Sequence, residues 1–470
     1  MDHSSTLSAL SIPDIDRSWV SLPVGLGVSV AVLLYAPVSG DTAGMVAITV
    51  LCVSLWIGSP VKPWFTGLVC IGLIGVTFST EVALVGFRSP ATWLIVLGIL
   101  IGEATRTSGL ADLIERWVLR RMPAARFDKN VAAYRYLLVT LSFASLLLTV
   151  LIPSSVVRVL ILGPVLISIG ELFEERRAKV GIFLGPLFAT FYGSSGVLTG
   201  SLANIIITGI VEANVGVSIS WTEWLLWMGP IMGVGRTVAI IAIAYFLYRP
   251  RNSRSIARPA ESEDAFEMTS DERRMLGFLL LGVAVWATDS FHGLHPLYGA
   301  LLVALLTFAP KIGVVESETL AEADFSIIFF LGAIFAIAEG LQRTAFTDLA
   351  AKAILSNLSG DASLVVVLTV VSIASVVLVF MMEGLAAASV LTPILTAFTS
   401  GAGIPLLPVV MVEAVVLNSY FFPYQSAVLI AILGLDMADS GEVIRMAALG
   451  SLLTFGILLP IQAVAFALVF

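Results

Sequence analysis

Residues 133–170 read AYRYLLVTLSFASLLLTVLIPSSVVRVLILGPVLISIG, with Leu151-Ile152-Pro153-Ser154-Ser155 at the middle. The run is far longer than the roughly 20 apolar residues that cross a bilayer as one helix. A second run at 362–400, ASLVVVLTVVSIASVVLVFMMEGLAAASVLTPILTAFTS, is interrupted in the same way at Met381-Met382-Glu383-Gly384. Each carries polar residues or helix breakers at mid-length. Backbone groups freed by such a break cannot face lipid, so the break must sit in protein or water. A re-entrant helical hairpin meets that condition, and two hairpins are predicted.

Around these runs the chain is apolar almost throughout. Its 470 residues include 58% hydrophobic and 12% charged side chains, at a mean hydropathy of +1.01. That leaves too little polar surface for a water-soluble fold of this size and excludes a cytoplasmic enzyme or a disordered chain. Cys52 and Cys70 lie inside apolar runs and read as small packing residues. The formal charge of −8 gives no support to nucleic-acid binding. Spanning-length runs at about 20–38, 41–58, 64–80, 90–105, 181–211, 224–248, 275–290, 296–310, 325–341, 406–435 and 443–470 give about eleven crossings. The polar start MDHSSTLSALSIPDID lacks the basic residues of a secretory signal, so the first run is expected to stay as a span. The predicted class is an all-α polytopic membrane protein of about 11 transmembrane helices plus two hairpins.

Lys and Arg are retained on the cytoplasmic side. With an internal N-terminus, the loops 106–135, 171–180 and 249–274 collect Arg116, Arg120, Arg121, Arg126, Lys129, Arg176, Arg177, Lys179, Arg251, Arg254, Arg258, Arg273 and Arg274, while Arg88, Arg343 and Lys352 fall outside. This asymmetry sends the first hairpin in from the cytoplasm and the second from the external side, where the C-terminus also lies. A plasma membrane location is expected, with a bacterial inner membrane as the setting.

The segment 250–273, rich in Ser, Arg and acidic residues, is the one stretch of soluble composition and reads as a cytoplasmic linker between halves. The expected division is a tail at 1–19, scaffold spans at 20–80, a first repeat at 81–249, the linker, further scaffold spans at 274–324, and a second repeat at 325–470. Glu103-Ala-Thr-Arg-Thr-Ser-Gly-Leu110-Ala-Asp112-Leu113 lines up with Glu339-Gly-Leu-Gln-Arg-Thr-Ala-Phe346-Thr-Asp348-Leu349, and each precedes a broken run. An odd number of crossings separates the copies. They must therefore run in opposite directions, as the inverted repeats of secondary transporters do.

The chemistry gathers at the breaks. Pro153-Ser154-Ser155-Val156-Val157-Arg158 is followed one span later by Gly193-Ser194-Ser195-Gly196 and Thr199-Gly200-Ser201-Leu202-Ala203-Asn204. The second half has Glu383-Gly384 and then Asn418-Ser419-Tyr420-Phe421-Phe422-Pro423-Tyr424-Gln425-Ser426. Half-helix N-termini can hold an anion, and freed carbonyls and hydroxyls can hold sodium, so such breaks make a compact midplane site. The candidate substrate-binding residues are Ser154, Ser155, Arg158, Gly200, Ser201, Asn204, Glu383, Gly384, Pro423, Tyr424, Gln425 and Ser426. Ser154, Ser155, Gly196 and Asn204 are the candidate sodium ligands, and no other cofactor is expected.

At these residues the sequence resembles the divalent anion/sodium symporter family of di- and tricarboxylate and sulfate carriers. The Ser-Asn-Thr typical of that family's hairpin tips is replaced here by Ser154-Ser155-Val156 and Glu383-Gly384-Leu385. The family's Gly-Thr-Pro-Pro-Asn-like loop looks like Gly200-Ser201-Leu202-Ala203-Asn204, and its partner looks like Phe422-Pro423-Tyr424-Gln425-Ser426. The resemblance implies a homodimer in which hairpins and broken spans move as an elevator against a scaffold, carrying a small anion. The altered tips remove oxygen ligands that sodium prefers. Coupling is therefore open between sodium, protons and anion exchange. Arg158 and Glu383 at membrane depth need partners; Arg158 would supply positive charge for an anion, and Glu383 would titrate or pair with it.

The same residues admit other readings. Ser194, Ser195 and Thr199 could serve only close helix packing, and Arg158 could snorkel to the surface. Arg236 has a stronger claim to that snorkelling reading, since Gly233 and Gly235 suggest a packed bend. Trp221, Trp224 and Trp227 read as an interfacial belt. An enzyme would want a His-rich or Ser/His constellation, but His3, His292 and His295 form no such pattern. A channel would show a continuous polar lining, and a non-transport membrane protein would show no ligand response.

Overall fold

Inside a bilayer only a helix or a closed barrel satisfies every backbone group, and this chain's apolar runs fold as helices. The computed structural model describes residues 17–110, 113, 116, 117, 120, 130–251, 268–316, 318–356, 362–382 and 384–470, and among them there is no strand. Glu383, the tail 1–16 and most of the 250–273 linker lie outside the described residues. The first helices are α1 (Ser21–Tyr35), α2 (Gly40–Gly58), α3 (Pro63–Thr77) and α4 (Pro90–Thr107). Next come α5 (Asn130–Leu151), α6 (Ser155–Gly170), α7 (Arg176–Gly193) and α8 (Leu202–Val215). The long helix α9 (Trp221–Tyr248) contains a π-helical turn at Gly229–Gly235. After it stand α10 (Ser270–Ala287), α11 (Leu297–Thr307), α12 (Ile327–Arg343) and α13 (Phe346–Leu355). The last group is α14 (Leu364–Met381), α15 (Gly384–Ala402), α16 (Leu406–Leu417), α17 (Ala427–Leu433) and α18 (Ser440–Ala467), the last with a π-helical turn at Thr454–Leu458.

Among the described residues, seven helices are long and apolar enough to cross a membrane alone, or eight if α12 and the start of α13, bent by 74°, count as one. Several apolar runs fold instead as two shorter helices around a break. The run 181–211 becomes α7 and α8, and the run 406–435 becomes α16 and α17.

Contacts along α7 fix the direction of its neighbours. Tyr134, Leu138 and Leu146 of α5 lie against Gly181, Gly185 and Gly193 in turn, so α5 runs parallel to α7. Along α6 the order reverses, with Arg158 against Thr190 and Gly170 against Lys179. The chain therefore doubles back at Ile152-Pro153-Ser154, and both outer ends of the pair lie level with residues 179–181. The second pair behaves alike. Gly384 meets Leu417 and Thr392 meets Glu413, so α15 runs antiparallel to α16. At the end of α14, Val379 and Phe380 reach Gln425 and Phe421, while Val365 near its start shares a groove with Val464.

The long helices α9 and α18 identify the two faces. Arg176 and Tyr248 meet Glu442 on one face, where the first pair opens. Trp227 meets Phe466 and Phe470 on the other, where the second pair opens. The two folded-back pairs thus point at each other from opposite sides.

The short sequence match between halves has a structural counterpart. Gly109 (φ +77°) ends α4, and the aligned Ala345 (φ +55°) ends α12, both in the left-handed conformation that turns the chain off a helix. Arg88 and Pro90, at the start of α4, share a cavity of about 470 Å³ with Glu339 near the end of α12. The end of α4 lies beside Glu272 at the start of α10, and Arg274 of α10 bonds the carbonyls of Lys311, Ile312 and Gly313 that lead toward α12. Hence α4 and α12 run in opposite directions.

Close backbone approach carries part of this packing. A Cβ on Gly196 would lie 2.5 Å from the Gly233 Cα, whereas one on Gly27 would meet nothing within 4 Å. Gly196→Val is therefore expected to destabilise the fold by about 2 kcal/mol or more through overpacking against backbone, with Gly27→Val near parent. Thermal unfolding in detergent checks this, and equal melting of the two variants would contradict it.

Candidate functional site

Each of the two breaks between paired helices sits against a broken span. In the first half the tip Ile152-Pro153-Ser154 precedes α6, whose N-cap Ser154 accepts from the Val157 amide at 3.4 Å. Arg158, one turn into α6, is fully buried. Its Nε donates to Thr190 Oγ1 at 2.9 Å, its Nη1 to the Ile152 carbonyl at 2.5 Å, and its Nη2 to Ser155 Oγ and the Gly200 carbonyl, both at 2.8 Å. Nη2 also lies 3.4 Å from the Thr190 carbonyl. Ser155 Oγ in turn donates to Gly200 at 3.3 Å. One guanidinium thus joins the tip to both sides of the gap between α7 and α8. The snorkelling alternative is corrected: donors that would otherwise seek water are matched by carbonyls freed at the helix breaks.

The gap itself, Ser194–Ser201, is buried throughout. Asn204 Nδ2 donates to the carbonyls of Val197 (2.9 Å) and Ser194 (3.3 Å), which holds together the two 3₁₀ turns of the gap, Ser194–Gly196 and Leu198–Gly200. Its Oδ1 accepts from Asn418 Nδ2 at 3.2 Å, and Ser201 Oγ donates to Asn418 Oδ1 at 2.8 Å. Asn418 begins the second gap, between α16 and α17. The two broken spans therefore touch through a Ser201–Asn418–Asn204 triad.

Arg236, just past the π-helical turn of α9, closes the junction. It is buried, with Nε donating to Thr454 Oγ1 (3.0 Å), Nη1 to Ser195 Oγ (2.8 Å) and the Tyr192 carbonyl (3.2 Å), and Nη2 to Ser419 Oγ (2.5 Å) and the Asn418 carbonyl (3.3 Å). Its guanidinium also lies 4.6 Å from the centre of the Tyr192 ring. Tyr192 Oη contacts the carbonyls of Tyr420 and Ala447, each at 3.0 Å, and Phe191 stacks on Tyr420. The sequence favours a snorkelling Arg236, and the structure overturns this, because every donor nitrogen of its guanidinium meets an oxygen inside the protein. A π-helical turn at Gly229–Gly235 precedes Arg236, and the side chain lies inward, between the two gaps.

The tryptophans also need correction. Trp221 and Trp224 are buried rather than interfacial, with Nε1 donating at 3.0 Å to Thr199 Oγ1 and to the Ser195 carbonyl respectively. They brace the first gap from outside. Trp227 packs on Phe466 and Phe470.

In the second half the cluster is partly assembled. Gly384 lies at the Leu417 carbonyl and the Tyr420 hydroxyl, with no room for a Cβ. Gln425 is buried, accepts at Oε1 from the amides of Phe421 and Phe422, and donates to Val379, which ties the second gap to α14. Ser426 caps α17 through the Val428 amide. Tyr424 is largely exposed and stacks on Phe422 beside Pro423, so this end of the predicted set forms a rim. The candidate sodium ligands Ser154, Ser155, Gly196 and Asn204 all line the first half of the cluster. Ser155 Oγ and the Gly200 carbonyl are taken up by Arg158.

The sequence singles out Arg158, the Gly/Ser stretches and the stretch 418–426, but leaves Thr190, Tyr192, Arg236 and Asn418 itself out of the candidate binding set. Arg236 carried the same signal as Arg158, a charge in the middle of an apolar run. Among the described residues neither arginine has a carboxylate partner. Two buried positive charges and the N-termini of α6, α8 and α15 therefore surround the junction, an arrangement that favours a bound anion.

The family described as "Sodium:sulfate symporter transmembrane region" matches residues 17–469. The L-tartrate/succinate antiporter of Escherichia coli (strain K12) is 23% identical over 430 residues, covering 87% of this chain and 84% of that protein. The protein of the same name from Shigella flexneri gives the same values. Among solved structures, the YdaH transporter of Alcanivorax borkumensis has a TM-score of 0.56 at 16% identity, over 91% of this chain and 98% of that one. MtrF of Neisseria gonorrhoeae, described with a class of antimetabolite efflux pumps, has a TM-score of 0.51 at 14% identity, over 94% and 97%. At these identities the two structures speak for the fold alone.

Arg158→Met removes every donor from the Ile152, Thr190 and Gly200 acceptors and is expected to cost about 3 kcal/mol or more. Arg158→Lys keeps the charge without the planar fork and should fall between. Thermal unfolding of the purified variants decides this; a Met variant as stable as the parent would show the contacts to be incidental.

Proposed function

This chain belongs to the sodium:sulfate symporter family, and from that membership we propose that it exchanges small dicarboxylate anions across the membrane at the junction of its two broken spans. It is a multi-pass membrane transporter of anions and not an enzyme. The observation that carries the proposal is the pair Arg158 and Arg236, both buried without a carboxylate partner among the described residues and placed on either side of the 190–201 segment. A dianion would balance these two charges in a medium where an isolated charge is expensive. Engagement of the guanidinium groups by backbone and hydroxyl oxygens makes the arginines a fixed positive field, leaving the helix N-termini to meet the anion. The relatives that share most of the chain are named as tartrate/succinate antiporters, which supports dicarboxylates over sulfate.

Exchange without sodium is favoured because Arg158 already engages the Ser155 and Gly200 oxygens that a cation at the first tip would need. The carrier unit consists of both helix pairs, re-entering the membrane from opposite sides, together with α7, α8, α16 and α17. It moves as an elevator against a scaffold of residues 20–80 and 274–324, within eleven crossings, an inverted repeat of 81–249 and 325–470, and a homodimer. The setting is the bacterial inner membrane with the N-terminus inside and the C-terminus outside.

Counterflow in proteoliposomes tests the proposal. Vesicles loaded with unlabelled succinate and held in potassium buffer should take up labelled succinate transiently above equilibrium, with tartrate competing better than sulfate, citrate or a sulfonate. Uptake that needs a sodium gradient would contradict exchange, and flux with no stimulation by internal succinate would identify a channel.

A further inference from the structure

The broken span α16 carries one ionisable side chain, Glu413, in the middle of the fully buried segment Pro408–Leu417. Its Oε1 accepts from Thr392 Oγ1 of α15 at 2.8 Å, while its Oε2 is buried and has no hydrogen-bond partner in the protein. The helices packed against α16 are α14, α15, α8 and the end of α18. The helices α14 and α15 and residues 459–467 contain no acidic, basic, Cys or Tyr side chain. The only ionisable residue of α8 is Glu212, half-buried near the far end of its helix and 3.4 Å from His295. Beyond the end of α16, Tyr420 lies at Gly384, and Arg236 reaches the Asn418 carbonyl and Ser419 with its donors engaged. Glu383, at the tip of the same pair, lies outside the described residues.

A carboxylate in this position would have one hydroxyl donor and no counter-ion. Burying an ion so poorly matched is strongly unfavourable, whereas the neutral acid needs only ordinary hydrogen bonding. The location gives the proton a consequence. Thr392–Glu413 is a side-chain hydrogen bond between α15 and α16, so it lies on the seam by which the second helix pair holds its broken span. We propose that Glu413 is a proton-binding site, occupied while α15 lies against α16, and that loss of its proton weakens that seam. The step is a simple dissociation: the O–H bond of the acid breaks, the proton passes to water, and a carboxylate remains that must be hydrated. Proton release and parting of the second helix pair are thereby linked. The link to transport rests on the exchange proposed above, but the proton site itself does not.

The test accordingly needs no substrate. A proton held by the folded state and lost on unfolding makes stability fall as pH rises. The thermal unfolding temperature of the full chain in detergent should drop by about 2 °C per pH unit on the alkaline side, and Glu413→Gln should remove that drop. Equal pH slopes in parent and variant would overturn the proposal. Should Glu413→Gln fail to fold, infrared titration of the parent replaces it. The proposal expects the carbonyl stretch of a protonated, water-shielded carboxylic acid to persist at mildly alkaline pH, and its absence would overturn the proposal. Failure of succinate counterflow with a positive result here would sink the exchange reading and leave the proton site standing.

Discussion

A helix broken inside a membrane exposes carbonyls and amides that neither lipid nor the helix itself can satisfy, and this fold is organised around meeting that demand. Arg158 does so at the first tip, binding the Ile152, Thr190 and Gly200 oxygens with one planar group. Arg236 does so between the two gaps, reaching residues 192, 195, 418, 419 and 454. The breaks would be untenable without such donors, and the arginines would be untenable without the oxygens of the breaks. What this exchange leaves over is net positive charge, which is the property an anion carrier needs.

The two halves solve the problem with different chemistry. In the first, a cationic side chain rises from the tip into the gap. In the second, Gln425 ties the gap to α14, Gly384 allows backbone contact, and a single buried acid sits on the seam between α15 and α16. Symmetry of layout thus coexists with asymmetry of side chains. The left-handed Gly109 and Ala345 show how well the layout survives such divergence, since the aligned positions keep the same turn although one is a glycine and the other an alanine.

Much of the architecture was legible in the sequence because bilayer physics is restrictive. Overlong apolar runs with breakers at 151–155 and 381–384 read as re-entrant hairpins, and each run divides there into two helices, of which Asn130–Leu151, Leu364–Met381 and Gly384–Ala402 are each long and apolar enough to cross a membrane. The Gly/Ser stretch 193–201 reads as an unwound segment, and there the α-helix gives way to two 3₁₀ turns, Ser194–Gly196 and Leu198–Gly200. Side-chain direction was less legible. Trp221 and Trp224 have the composition of an interfacial belt, and only three-dimensional packing reveals that they face the 195–199 backbone. Arg236 beside Gly233 and Gly235 reads as a snorkelling side chain at a bend, yet it follows the π-helical turn at Gly229–Gly235 and lies inward, and no sequence period encodes that register.

The central claim is that two helix pairs inserted from opposite faces meet two broken spans and hold an anion between them. A cryo-electron microscopy map of the protein in lipid nanodiscs with saturating succinate tests it most directly. The account predicts ligand density at the junction of residues 154–158, 200–204, 384–386 and 418–420, with both helix pairs turning back within the bilayer. Density for succinate elsewhere, or residues 130–170 and 364–402 each traversing the full bilayer without turning back, would contradict it.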